Sequence, residues 1–195
     1  MDMSENEAGE RMRYAHRPKP FAAELDLTLT HHHLTAERGK SRQIIPLAGI
    51  ERITLTFSPR NIARLAFTCH IRASDGRSVK FDTISWKSLT DVDRQDEAYR
   101  GFITALITRA RAVNPGIVFH AGLAKWRFRA MLIMGILLGL AMAGAGVNAA
   151  QNGNMPIALF GFGLAAYLAW WLRDYLTRNR PTPFSAESIP AGVLP

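Results

Sequence analysis

Two stretches of 18 residues, 130–147 and 155–172, contain no charged side chain. At 1.5 Å per residue, a helix of that length spans about 27 Å, close to the hydrocarbon thickness of a bilayer. The seven residues between them are Asn148, Ala149, Ala150, Gln151, Asn152, Gly153 and Asn154, a short polar turn. The pattern predicts a helical hairpin that crosses a membrane twice, with spans at about 128–147 and 155–174. The competing reading is a buried helix pair in a soluble core, but core helices rarely run so far without a charge. The chain's mean hydropathy of −0.03 hides this, because it averages a polar region with an oily one.

The flanks fit a membrane. Lys125, Trp126, Arg127 and Arg129 precede the first span, and Trp170, Trp171, Arg173 and Arg178 close the second. Three of the four tryptophans therefore lie where an interfacial aromatic belt belongs. The net charge is +8, and residues 121–180 carry six basic residues against one acid, Asp174. Basic residues favour the cytoplasmic side, so both termini are expected there. Nothing in residues 1–20 resembles a signal peptide. Nineteen arginines against five lysines, with abundant alanine, resemble GC-rich bacterial coding, so a bacterial inner membrane is expected.

Each span carries a stripe of small residues: Gly135, Gly139 and Ala143 in the first, Gly161, Ala165 and Ala169 in the second. Such stripes let helices approach closely in lipid. The expected use is packing within the hairpin; a membrane-protein partner is the second use. Neither run holds an ionisable side chain, which speaks against an ion pathway.

Ahead of the spans, apolar and polar residues alternate. Leu25, Leu27 and Leu29 form one such set; Ile53, Leu55 and Phe57 another; Leu65, Phe67, Cys69 and Ile71 a third; Val79 and Phe81 a fourth. Period two with one apolar face predicts half-buried antiparallel strands. Turn signals separate them at 37–40, 58–61 and 74–77, the last containing Asp75-Gly76. Ser88, Asp91 and Asp93 supply capping chemistry for an amphipathic helix over about 93–113, ended by Asn114-Pro115-Gly116. The fold class is α+β: an antiparallel curved sheet or barrel capped by one helix, then the hairpin. Residues 1–20 and 179–195 are expected as tails, 21–122 as the folded domain and 123–178 as the hairpin.

Leu25, Leu27 and Leu29, then Leu34, then the Ile45-Pro46-Leu47 stretch ending at Ile50, followed by a closing helix, resemble a bacterial pleckstrin-homology-like (PH-like, or GRAM-like) domain. The resemblance covers roughly residues 21–115. It implies a bent seven-stranded sheet capped by a helix, in a class of domain commonly fused to membrane helices. It also implies a phosphate-binding role for an early basic hairpin, here Arg38, Lys40 and Arg42. That turn joins either the first and second strands or the second and third.

Other chemistry-bearing residues have plainer readings. His31, His32 and His33 are consecutive, and neighbours in a strand point to opposite faces, so they do not converge on a metal. Asp91, Asp93, Asp96 and Glu97 cluster where a helix start favours acids. Cys69 lies on an apolar strand face. No cofactor or metal is expected, and no catalytic constellation is visible. The basic excess flanks the spans instead of forming a stripe, which speaks against nucleic acid. The expected function is a non-enzymatic, membrane-anchored interaction module. Its partners are the bilayer, anionic phospholipid or a membrane protein. The alternative is a regulatory or assembly subunit of a larger membrane complex.

Overall fold

A computed structural model describes residues 11–58 and 66–195. Leu65 and most of the turn expected at 58–61 lie outside the described residues, as do residues 1–10. The described chain is α+β and forms two compact units. One runs up to Ala121 and includes Thr182–Pro195; the other is Gly122–Pro181.

The first unit begins with a four-stranded antiparallel meander: β1 (Met12–His16), β2 (Leu25–Leu29), β3 (His33–Arg38) and β4 (Ser41–Pro46). A 3-10 turn at Leu47–Gly49 leads into β5 (Ile50–Phe57), β6 (Phe67–Ala73) and β7 (Ser78–Asp82), a second antiparallel run. β8 (Ile84–Trp86) and β9 (Val92–Arg94) form a separate ribbon. Helix α1 (Asp96–Val113) follows, and β10 (Val118–Ala121) then pairs parallel to β5. The alternation read from sequence decides burial directly. Leu25, Leu27 and Leu29 are buried while Asp26 and Thr28 are half-buried, and Ile53, Leu55 and Phe57 are buried on the second sheet. Both sheets remain open-edged among the described residues, so of the two expected forms, curved sheet or barrel, the barrel is not formed.

Helix α1 ties the two sheets together. Its buried stripe is Tyr99, Phe102, Ile103, Leu106, Ile107 and Ala110. Tyr14 of the first sheet, Phe81 of the second and Tyr99 and Phe102 of the helix meet with ring centroids 5.7–6.0 Å apart. The Tyr14 hydroxyl donates to the Asp82 carbonyl at 2.7 Å, so even its polar tip bridges the sheets. Burial pushes that phenol's pKa far up, and the Tyr99 phenol's likewise, so both stay neutral. Polar bonds repeat the bridge. Arg109 Nη1 donates to the Leu29 carbonyl, and Asn114 Nδ2 donates to that of Ile50 at 2.9 Å.

Three expectations change. Residues 12–16, placed in a tail, form β1, whose alternation escapes notice because Tyr14 and His16 are amphipathic. The helix starts at Asp96 instead of Asp93, because Val92 and Arg94 pair with Trp86 and Ile84. The capping chemistry at Ser88 closes the β8–β9 turn: its hydroxyl accepts from the Asp91 N–H at 3.1 Å. Finally, the proline-rich C-terminal stretch returns to the sheet. β11 (Thr182–Pro183) pairs with β10, Phe184 packs on Phe119 at 5.6 Å, and Val193 is buried.

The second unit is a helical hairpin, α2 (Lys125–Gln151) and α3 (Met155–Arg178). Gly153 turns the chain at φ 75°, a value that suits glycine. Asn154 accepts from the Ile157 N–H to cap α3, and Pro156 sits in its first turn. At the base, the Leu123 N–H donates to the Asn179 carbonyl at 3.0 Å. Gly122, at φ 80°, lies so close to that strand of backbone that a Cβ there would overlap the Asn179 carbonyl.

The ring cluster generates a prediction. Tyr14→Ala should lower stability by about 3–5 kcal/mol through lost packing. Tyr14→Phe should cost about 1–3 kcal/mol, because the buried Asp82 carbonyl loses its donor. Urea unfolding of the full chain in mild detergent measures both.

Candidate functional site

The basic turn joins β3 and β4, with Arg38 opposite Ser41 and only Gly39 and Lys40 in the loop. Gly39 takes φ 58° while Lys40 keeps an ordinary backbone, the pattern of a tight two-residue hairpin with glycine first. Because β1 precedes the strands read from sequence, this is the third strand junction. It is neither of the two placements considered from the pattern. Arg42 pairs with its cross-strand neighbour Glu37 at 3.1 Å. Arg38 and Lys40 stand exposed at the tip. The hairpin thus offers two cations and one that is already engaged.

A second cationic surface emerges on the outer face of the β5–β6–β7 sheet. Arg52 of β5 lies directly opposite Arg72 of β6, and His70 of β6 opposite Lys80 of β7. All four are exposed. Among the described residues, Arg52, Arg72 and Lys80 make no ion pair. Like charges facing each other across a strand pair destabilise a sheet, so the arrangement favours an anion above it. The His70 imidazole registers this field. Partial burial first, then Lys80 and Arg72, hold its pKa below the ordinary histidine value. The alternation of each strand does not say which strands pair. Only the register, shifted by a bulge between Ile50 and Arg52, brings them together.

The remaining candidates resolve locally. The rings of His31, His32 and His33 lie 6.4–6.5 Å apart in succession, and no group of three or more His, Cys, Asp or Glu side chains among the described residues could hold a metal. Asp93 pairs with Lys87 at 3.2 Å, and Asp96 with Arg94 at 2.6 Å. Cys69 is buried, and desolvation pushes its thiol far above the usual range, so it is no thiolate nucleophile.

Within the hairpin, both helices are long and apolar enough to cross a membrane. Only 6% of each apolar window is buried, whereas a soluble core helix would be mostly covered. Trp126 and Trp170 are two-thirds exposed at 67% each. Arg127 lies over the Trp126 ring at 5.2 Å, and Trp171 stacks on Tyr175 at 5.5 Å. Arg178 pairs with Asp174 at 3.1 Å, one turn back on the helix. Lys125, Arg129 and Arg173 complete the basic rim.

The small-residue stripes divide into two roles. A Cβ on Gly161 would stand 3.2 Å from Gly146 Cα and 3.3 Å from the Met142 carbonyl, so the helices touch backbone to backbone there. A Cβ on Gly146 would meet the Ala158 carbonyl at 3.3 Å. At Gly139, by contrast, a Cβ would meet nothing within 4 Å, and at Gly135 it would fall on the Leu172 side chain. Close contact therefore lies near the 152–154 turn, through Gly146, which the stripe reading did not include. Gly135, Gly139, Ala165 and Ala169 line an open groove, and Ala143 lies between the two regions.

Compared with known proteins, the chain matches no protein-family model and no curated protein sequence.

The field at His70 can be read directly. Its imidazole should titrate below about 6.5, and Arg72→Ala or Lys80→Ala should each move the midpoint upward. The sign follows from removing a cation that opposes protonation. Two-dimensional NMR of the histidine ring carbons measures it.

Proposed function

We propose that the protein is a membrane-anchored, non-enzymatic interaction module. Its two spans hold an α+β domain at the cytoplasmic face of a bacterial inner membrane, where the domain binds anionic lipid or an acidic protein surface. The carrying observation is the exposed cationic face of Arg52, Arg72 and Lys80, unpaired among the described residues, on a domain joined in sequence to two apolar helices with basic ends.

Further observations support the parts of this reading. Four antiparallel strands, then three, then one helix bridging both sheets resembles the order of a PH-like domain, with the β8–β9 ribbon inserted before the helix and β10 and β11 added to the second sheet. The basic residues at 125–129 and 173–180, against an uncharged connecting turn, favour both ends of the hairpin on the cytoplasmic side. An anionic leaflet attracts each nearby Lys or Arg by about 1 kcal/mol, a gain open to each of these cationic surfaces.

The test keeps both pieces of the first unit. Residues 122–181 are replaced by a short Gly/Ser linker, because the segment after 181 pairs with β10. The shortened chain should cosediment with phosphatidylglycerol vesicles, and weakly with phosphatidylcholine ones. Charge reversal at Arg38, Lys40 and Arg42 tests the hairpin tip, and at Arg52, Arg72 and Lys80 the sheet face. Each set should reduce binding by at least about tenfold, with the effect fading in high salt. Binding unchanged by both sets would defeat the anionic-surface reading.

A further inference from the structure

The hairpin is not uniformly packed. Between the Gly146–Gly161 contact and the basic rim, both helices line an open groove of about 700 Å³. Its floor includes Gly139 of α2 and Ala165 and Ala169 of α3, and the Leu172 side chain lies over Gly135. Arg173 and Arg180 stand at its rim end. Asp174, the only acid of the hairpin, is taken by Arg178, so it does not neutralise Arg173.

We propose that this groove holds one anionic phospholipid, with an acyl chain along the glycine–alanine floor and its phosphate on Arg173. The proposal rests on the reading of α2 and α3 as membrane spans. Two features select a lipid over a partner helix. The first is length. From Phe128 to Leu140 the groove runs about 18 Å along α2, close to one leaflet of a hydrocarbon core about 30 Å thick. A spanning helix needs a surface of full bilayer depth, whereas here the two helices close on each other beyond mid-span. The second is charge. The groove is apolar along its length and cationic at the end where the lipid headgroups of that leaflet lie, which matches an amphiphile with an anionic head. The small residues then have two uses. Gly146 and Gly161 bring the helices together, while Gly139 leaves room for a chain.

The experiment uses the full chain in mild neutral detergent, with native mass spectrometry after addition of phosphatidylglycerol or of phosphatidylcholine bearing the same acyl chains. The unaltered chain should retain a single phosphatidylglycerol in preference to phosphatidylcholine. Arg173→Gln should reduce that preference about fivefold, the factor expected of one cation near an anionic head. Gly139→Leu fills the floor and should abolish retention of both lipids, while the variant still resists alkaline carbonate extraction from membranes. Equal retention of the two lipids, retention untouched by both variants, or a lipid-free pair of chains would each overturn the proposal. Extraction of the unaltered chain by carbonate would instead overturn the membrane reading beneath it. A chain that stays in the membrane yet retains no lipid overturns the groove alone.

Discussion

The domain depends on four aromatic rings that belong to three different elements. Tyr14 comes from the first strand, Phe81 from the seventh, and Tyr99 and Phe102 from the helix. Two open sheets, each with one apolar face, have no reason to adopt a fixed relation unless something buries both faces at once. The rings do this by packing area, and the Tyr14–Asp82 bond fixes them at one point. Everything described on the outer surface follows. The β5–β6–β7 face can carry Arg52, Arg72 and Lys80 outward only because its other face is committed to this core.

The hairpin obeys a different rule. Two long apolar helices with little buried surface pack by close backbone approach and by groups that hydrogen-bond. Gly161 against Gly146 supplies the approach near the turn, and Leu123 with Asn179 fastens the base. Between these two ends the helices are free to part, and the side chains there decide whether the space is filled. Leu172 fills it at Gly135; at Gly139 nothing does.

Much of this was legible in the sequence. The uncharged runs 130–147 and 155–172 mark the two long apolar helices, and alternation marks the strand faces. The helix stripe at Phe102, Leu106 and Ala110 followed from its spacing. The errors share a cause. β1 was hidden because Tyr14 and His16 read as polar, yet become core once α1 covers them. Ser88 and Asp91 suited a helix cap and a tight turn equally well, and pairing of β8 with β9 selected the turn. Pro181, Pro183 and Pro190 read as a tail, but prolines are tolerated on an edge strand, where no donor is needed. The basic turn was found at its true residues, yet its strand junction could not be counted while β1 was missing.

By itself the sequence determined which segments must avoid water, which faces of each strand and helix must be covered, and where the cations stand along the chain. Those are properties of composition and period, and they survive without knowing any partner. The tertiary structure alone decided which cations become neighbours, which glycines touch and which face open space, and that the chain after the hairpin rejoins the sheet before it. These depend on register and on contacts between residues far apart in the chain. Arg52 and Arg72 are twenty positions apart in sequence and opposite each other in space.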